Sequence, residues 1–513
     1  MTQLAKLPIG IQTFSEIREE GYVYVDKTPL IHRLVTEGKY YFLSRPRRFG
    51  KSLLVSTLQD LFEGRRELFK GLDIEDKWLW ETTCPVIKLS FGGVARSLAD
   101  MKQDVINILD ENQRRLGITC NKPDDIGGCF KQLIWGAYQQ YGQKVIILVD
   151  EYDKFIVDNL DQPEVAKHGR EVLRDIYSII KDSDAYIKFA LLTGVSKFSK
   201  VSVFSGLNNL KDITLDERYA TLCGYTEYDL DTTFSAHLEG ADRDEVRRWY
   251  NGYNFLGEKV YNPFDILLFI DAGFIFKNYW VTTGTPTFLI KLIEQNSYYI
   301  PRLNQLTVSE SLIDSYSIEG LQLEPLLFQT GYLTIKKEKR LSYGVEYVLG
   351  FPNKEVTISF NDHIAASLTS NSNITVTKGR LYDCLERADL DGFEQTIKSL
   401  FAAIPYNNYV NNTISNFEGY YASVIYAYLA SLGLDITAED VTSMGRIDLT
   451  IRLNDVIYIL EFKVDGSGDA LKQIKERNYQ QKYLADGKRI TLIGIDFDST
   501  SRNVTGFAWE AVE

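Results

Sequence analysis

Along the first 215 residues, apolar positions alternate between two patterns. Stretches with no polar face begin at Tyr40 and recur at Pro85–Phe91, Lys144–Val149 and Lys188–Thr193. Short apolar runs of this kind suit strands covered on both sides. Between them, Pro29–Glu37, Leu53–Phe62, Ser97–Leu116 and Asp125–Tyr141 have helical spacing. This alternation predicts an α/β fold with a doubly wound parallel sheet. Past Asp216 the pattern turns helical, with Glu227–Leu238, Asp242–Tyr250 and a helix opened by Asn262-Pro263, where Asn caps and Pro takes the first helical position. Two short helical patterns then precede strands at Gly331–Ile335 and Tyr343–Phe351, and Ser367–Lys378, rich in Ser, Asn and Thr, reads as a linker. The last third predicts a helix from Phe417 to about Leu432 and two period-two strands, Gly445–Leu453 and Val456–Val464. A helix over Asp469–Leu484 and a buried strand at Arg489–Ile495 follow.

Chemistry enters at the first strand. Arg45-Pro46-Arg47-Arg48-Phe49-Gly50-Lys51-Ser52 ends in the last three positions of the Walker A phosphate loop, with Arg45 where its first glycine belongs. Gly50 admits a phosphate close to the backbone, and the helix starting near Lys51 aims free N–H groups at it. Arg45 through Leu53 are therefore expected to bind nucleotide, with Lys51 on the β- and γ-phosphates and Ser52 on magnesium. The strand Lys144–Val149 runs into Asp150-Glu151, at the end where open α/β sheets bind ligands. Asp150 is expected to bind magnesium and Glu151 to orient the attacking water. At the tip of the next strand Thr193, Ser196 and Lys197 are candidates to sense the γ-phosphate. Arg170 and Arg174 are candidates for an arginine acting in trans, with surface salt bridges as the plainer reading.

A second constellation lies near the C-terminus. If Asn454-Asp455 is a two-residue turn, Leu453 faces Val456 and the register puts Asp448 opposite Glu461, about 5 Å apart at Cβ. Lys463, two residues on, shares their face. Two acids facing each other repel unless a divalent cation lies between them, and a lysine beside them stabilises charge on an attacked phosphate. Asp448, Glu461 and Lys463 thus form the metal-nuclease arrangement written PD-(D/E)XK, with Glu418 as a further metal ligand or water-positioning residue. Gln473, Lys475 and Tyr479 lie on the helix downstream.

Composition narrows the class. The chain has 513 residues, 44% of them hydrophobic, enough for several domains. Its five cysteines are scattered without a CxxC pair, which argues for a reducing compartment and against a disulfide framework or zinc ribbon. There is no signal-like N-terminus and no run of about 18 apolar residues, so a cytoplasmic protein with no membrane partner is expected. A net charge of −13 argues against non-specific nucleic-acid binding through a basic surface, while leaving room for a metal-dependent nucleic-acid enzyme.

Together, Tyr24-Val25-Asp26-Lys27-Thr28, Arg45 through Ser52, Val149-Asp150-Glu151-Tyr152-Asp153, Thr193-Gly194-Val195-Ser196, Tyr261-Asn262-Pro263 and Gly445-Arg446-Ile447-Asp448 resemble the bacterial AAA-ATPase-like family with a C-terminal PD-(D/E)XK nuclease domain. In that family the first Walker A glycine is usually replaced, so Arg45 fits. The resemblance implies ATP and Mg2+ at Lys51, Ser52, Asp150 and Glu151, and a nuclease-like fold after the linker. It brings no established substrate. The expected organisation is a P-loop ATPase core over 1–215, a helical lid over 216–300 and a winged-helix-like middle domain over 301–368. A linker over 369–380 and a restriction-endonuclease-like α/β domain over 381–513 complete it. The expected function is an ATPase coupled to a magnesium-dependent nuclease acting on nucleic acid, DNA more than RNA, with a homo-oligomer left open. The alternative is an ATP-driven switch or scaffold whose C-terminal domain binds nucleic acid or protein without cutting.

Overall fold

The computed structural model describes residues 4–93, 95–197, 207, 209–280, 289, 292–293, 298–314, 322–369, 374–404, 418–466 and 470–512. It divides into two compact units, Met1–Trp280 with Thr307–Val348, and Val281–Leu306 with Leu349–Glu513. These do not coincide with the expected segments: the lid helices and most of the middle-domain strands belong to the first unit. The expected linker is largely helical, since Thr369 ends the helix Lys354–Thr369 and Ile374 opens the helix Ile374–Arg387, while 370–373 lie outside the described residues. Phe417 and Asp469, the expected starts of two helices, also lie outside them.

In the first unit, β1 (Tyr40–Ser44), β2 (Val86–Ser90), β3 (Val145–Asp150), β4 (Ile187–Gly194) and β5 (Lys211–Asp212) form a parallel sheet of order β2-β3-β4-β1-β5. β1 and β3 are buried at every residue, as continuous apolar runs require. The register sets Leu43 beside Thr193 and Ser90 beside Asp150, so the polar residues gather at the C-terminal edge. Gly194 is needed there, because a Cβ would meet the Tyr152 ring and the Asp153 carboxylate at 2.5 Å. Lid helices Glu227–Thr232, Arg243–Tyr250 and Pro263–Asp271 share a core with Val23 and Val25. The first stops six residues before the expected Leu238. β6 (Leu306–Ser309), β7 (Thr334–Leu341) and β8 (Gly344–Gly350) make a small sheet. β7 starts later than expected because Gly331, at φ 93°, ends the helix Leu323–Thr330.

Cys120 and Cys129, both buried, form a disulfide that ties the connection after the helix Leu98–Leu116 to the helix Ile126–Tyr141. The scattered spacing gave no sign of this single bridge: the connection between the helices brings two residues nine apart to a Cα separation of 5.2 Å. No helix among the described residues is long and apolar enough to cross a membrane.

The second unit holds a mixed sheet, order β13-β12-β11-β10-β9, built from β9 (Asp435–Thr442), β10 (Gly445–Leu453), β11 (Val456–Val464), β12 (Arg489–Asp498) and β13 (Asn503–Val512). β11 and β12 are parallel, the other pairs antiparallel. The predicted hairpin register holds, with Leu453 facing Val456 and Leu449 facing Leu460. Asn454 takes the left-handed conformation its turn needs, φ 51°. The helix Glu418–Ala430 is almost entirely buried. The expected long helix after β11 is instead a short one, Ala470–Glu476, then a 3-10 segment, Tyr479–Asp486, separated by Asn478 at φ 49°.

Candidate active sites

The loop after β1 is shaped by two left-handed residues, Arg48 (φ 69°) and Gly50 (φ 92°). They turn the chain so that the helix Lys51–Phe62 begins with no side-chain cap on its free N–H groups. The Lys51 ammonium, only 7% exposed, curls back and donates to the carbonyls of Arg45 and Pro46, both at 2.9 Å. Burial lowers its pKa, and the charge of Asp150 partly restores it. A lysine held by loop carbonyls beside uncapped helix N–H groups is the donor set a phosphate would take over.

Asp150 is buried and accepts a 2.8 Å hydrogen bond from the Thr193 hydroxyl. Glu151, in a left-handed conformation at φ 55°, turns out of the strand, and no described residue hydrogen-bonds its carboxylate. Burial and then the charge of Asp150 raise its pKa. Ser52 and Asp150 line a polar cavity of about 230 Å³ that also takes in Ser90, Lys88, Ser56 and Asp60. Burial raises the Asp60 carboxyl to about 6 against the pull of Arg65. Lys88 and Ser90, on the strand beside β3, carried no motif in the sequence.

Other expected residues point elsewhere. Arg45 is a correction. Its fully buried guanidinium donates to the carbonyls of Ser44 (2.9 Å), Thr214 (2.7 Å) and Tyr219 (3.2 Å) and lies 3.9 Å over the Phe255 ring. It therefore braces the loop from behind instead of reaching nucleotide, and burial lowers its pKa to about 10. Phe49 packs edge-on to Tyr253 and Phe255, and Pro46 lies against Gly331. Arg47 pairs with Asp158 at 3.6 Å, and Arg48 lies over Phe264. Of the three sensor candidates Thr193 bonds Asp150. Ser196 is bound to Asp153, and buried Lys197 pairs with Asp212 at 3.0 Å. Arg174 is exposed beside Asp175.

In the second unit the ladder between β10 and β11 stops at Leu449. Asp448 leaves it, and its carboxylate accepts the Phe462 N–H at 2.8 Å. Glu461, 2% exposed, accepts from Gln473 through Oε1, while its Oε2 has no hydrogen-bond partner among the described residues. Gly494 lies beside Glu461 in the sheet, and its missing side chain lets Leu471 of the helix carrying Gln473 approach the strand. Lys463 lies 3.8 Å from Glu461 and 3.6 Å from Glu418. Burial first, opposed by the Phe462 N–H and reinforced by Glu418, holds the Asp448 carboxyl far above its usual range. Burial and then Asp448 do the same to Glu461. Among the described residues no three His, Cys, Asp or Glu side chains converge as a metal set. Glu418 stands with Lys463, leaving Asp448 and Glu461 as the donor pair. Lys475 is turned away to Glu510, and the Tyr479 hydroxyl bonds the Arg446 carbonyl at 2.9 Å.

Three residues of this site carried no assigned role from sequence. Ile447 faces Asp440 and Leu449 faces Ala438, so Glu439 is opposite Asp448. At φ 53° Glu439 leaves the regular strand and takes the Tyr299 hydroxyl (2.9 Å) and Arg446 (2.5 Å). Burial and the charges of Glu439 and Asp448 raise the Tyr299 hydroxyl pKa. The only sequence signal was the Gly445-Arg446-Ile447-Asp448 motif.

Residues 8–204 match the family described as Predicted AAA-ATPase, and residues 416–507 match the PD-(D/E)XK nuclease superfamily. A protein of Azotobacter chroococcum mcd 1, described as an uncharacterized protein in the vnfD 5′ region, is 48% identical over 513 residues, covering 99% of each chain. No solved structure matches. With the parallel sheet, the loop from Arg45 to Ser52 and the Asp448–Glu461–Lys463 hairpin in place, the chain belongs to the family of AAA-ATPase-like proteins that carry a C-terminal domain of the PD-(D/E)XK nuclease superfamily.

Proposed function

We propose that the protein binds and hydrolyses ATP in its first unit and cuts nucleic acid, DNA in preference to RNA, in its second. The observation that carries the nuclease reading is the buried pair Asp448 and Glu461, with Glu461 Oε2 unpartnered and Lys463 beside it. Two carboxyls pushed this far up are unfavourable alone and fit a shared divalent cation. Asp448 and Glu461 would hold Mg2+, which when bound supplies charge neutralisation and an activated water. Gln473 keeps Glu461 oriented by occupying one of its oxygens. Lys463 offers its ammonium to the charge that develops on the attacked phosphate, and Glu418 holds that ammonium in place.

In the first unit Lys51 and the uncapped N–H groups of Lys51, Ser52 and Leu53 bind the β- and γ-phosphates. Ser52 and Asp150 stand where a magnesium ion of bound ATP would be held, and Thr193 fixes the Asp150 carboxylate. Glu151 orients the water. The test is cleavage of labelled DNA and RNA by the full chain with Mg2+ and with chelator, repeated with Asp448→Asn. Chelator-sensitive cleavage lost in that variant is expected, and cleavage that survives the substitution overturns the assignment.

A further inference from the structure

We propose that Arg446, held by Glu439, which the Tyr299 hydroxyl binds in turn, is a phosphate-binding position that takes a backbone phosphate of the nucleic acid next to the one cut. The proposal rests on the nuclease reading of the Asp448–Glu461–Lys463 site and adds a substrate contact to it.

Arg446 stands two residues before Asp448 on β10, and its side chain is 56% exposed. A single ion pair, to Glu439, holds it. The rest of the guanidinium fork has no partner among the described residues, so it keeps donors for a second anion. Glu439 is not free to compete for a metal. Its two oxygens are taken, one by Arg446 and one by the Tyr299 hydroxyl. A carboxylate opposite Asp448 would otherwise add a third negative charge to a pair already crowded. Its left-handed backbone turns that charge onto Arg446 instead.

Tyr299 is fixed in turn. Its ring lies against Gly419, where a Cβ would come within 3.2 Å, and the next residue, Ile300, donates its N–H to Ser423 on the same buried helix. Gly419 follows Glu418, the partner of Lys463. One rigid support therefore positions both Lys463 and Arg446. A duplex or single strand laid across the site meets cationic Arg446 beside the cutting carboxylates. This resolves the mismatch between an acidic chain and an anionic substrate through local charge.

The test uses the full chain and a fluorescent 30-base-pair DNA duplex. Binding is measured with Ca2+ in place of Mg2+ across a salt series, and cleavage is measured with Mg2+. Arg446→Ala is expected to weaken binding and raise KM about tenfold with kcat little changed, and to lower the slope of log Kd against log salt by about 1, the signature of one lost phosphate contact. Arg446→Lys, which keeps the charge, is expected to restore the slope. Tyr299→Phe is expected to raise KM less than Arg446→Ala, since Glu439 still holds the guanidinium. Unchanged KM, Kd and salt slope in Arg446→Ala, with wild-type cleavage intact, overturn this subsite while leaving the nuclease reading standing. A wild type that binds duplex and loses slope on Arg446→Ala, yet cuts nothing with any divalent ion, supports the subsite and overturns the nuclease reading. Failure of the wild type to bind the duplex at any salt overturns the subsite.

Discussion

Replacing Asp448 by Asn should stabilise the metal-free protein at alkaline pH while abolishing its stabilisation by divalent cations. Asn keeps an oxygen able to accept the Phe462 N–H, so the substitution removes charge with little change of shape. The Asp448 carboxyl rises from 3.8 to about 7 in the folded chain, and that of Glu461 from 4.5 to about 8. The folded state then holds protons that the unfolded chain has already released. Stability is fully present below about pH 4, falls as pH rises above it, and the loss is complete once pH has passed through 7 to 8. At about 1.4 kcal/mol per pH unit, the cost of ionising Asp448 reaches about 4 kcal/mol, shared with Glu461 because each charge raises the other. For a unit of this size that corresponds to roughly 10 °C in melting temperature. The assay is thermal melting in chelator at pH 5 and pH 8, repeated with Mg2+, Mn2+ or Ca2+. The margin of the variant over wild type should be smaller at pH 5 than at pH 8, and divalent cations should raise only the wild type. A variant that melts lower by the same amount at both pH values, or that gains equally from the cations, refutes the reasoning.

Lys51→Ala should weaken binding of a fluorescent ATP analogue at least tenfold, read by anisotropy, if the ammonium now bound to the Arg45 and Pro46 carbonyls is the proposed phosphate donor. Glu151→Gln should leave that affinity within about threefold and cut phosphate release about a hundredfold, as loss of a water-orienting base does. Arg45→Ala should lower urea stability by about 3 kcal/mol, since three carbonyls lose their donor, an effect with no nucleotide present. Gly494→Ala should suppress DNA cleavage with ATPase turnover unchanged, because a Cβ there strikes Leu471 and displaces the helix that carries Gln473.

The hairpin was the most legible part of the second unit. A two-residue turn between two period-two runs leaves one register, and that register is observed. The departure of Asp448 from the ladder was not legible, because it depends on the Phe462 N–H donating to its carboxylate. Nor was β9: Asp435-Ile-Thr-Ala-Glu-Asp-Val-Thr is mixed in polarity, as an edge strand with one buried partner can be, and so Glu439 was missed. Arg45 shows the opposite failure. A cation in a phosphate loop reads as a ligand, and only the packing of Phe255 and the carbonyls of Thr214 and Tyr219, far along the chain, reveal it as a buried brace. Tyr299 lies well upstream of residues 416–507, in a stretch without periodicity, and only the fold returns it to the nuclease domain.

The most direct test of a metal-dependent nuclease in this chain is isothermal calorimetry of Mn2+ binding to the full-length protein, with ATP absent, followed by DNA cleavage in the same preparation. One site of the wild type should be lost in both Asp448→Asn and Glu461→Gln and kept in Lys51→Ala, and cleavage should vanish with it. Equal binding and cleavage in wild type and the Asp448 and Glu461 variants would contradict the account.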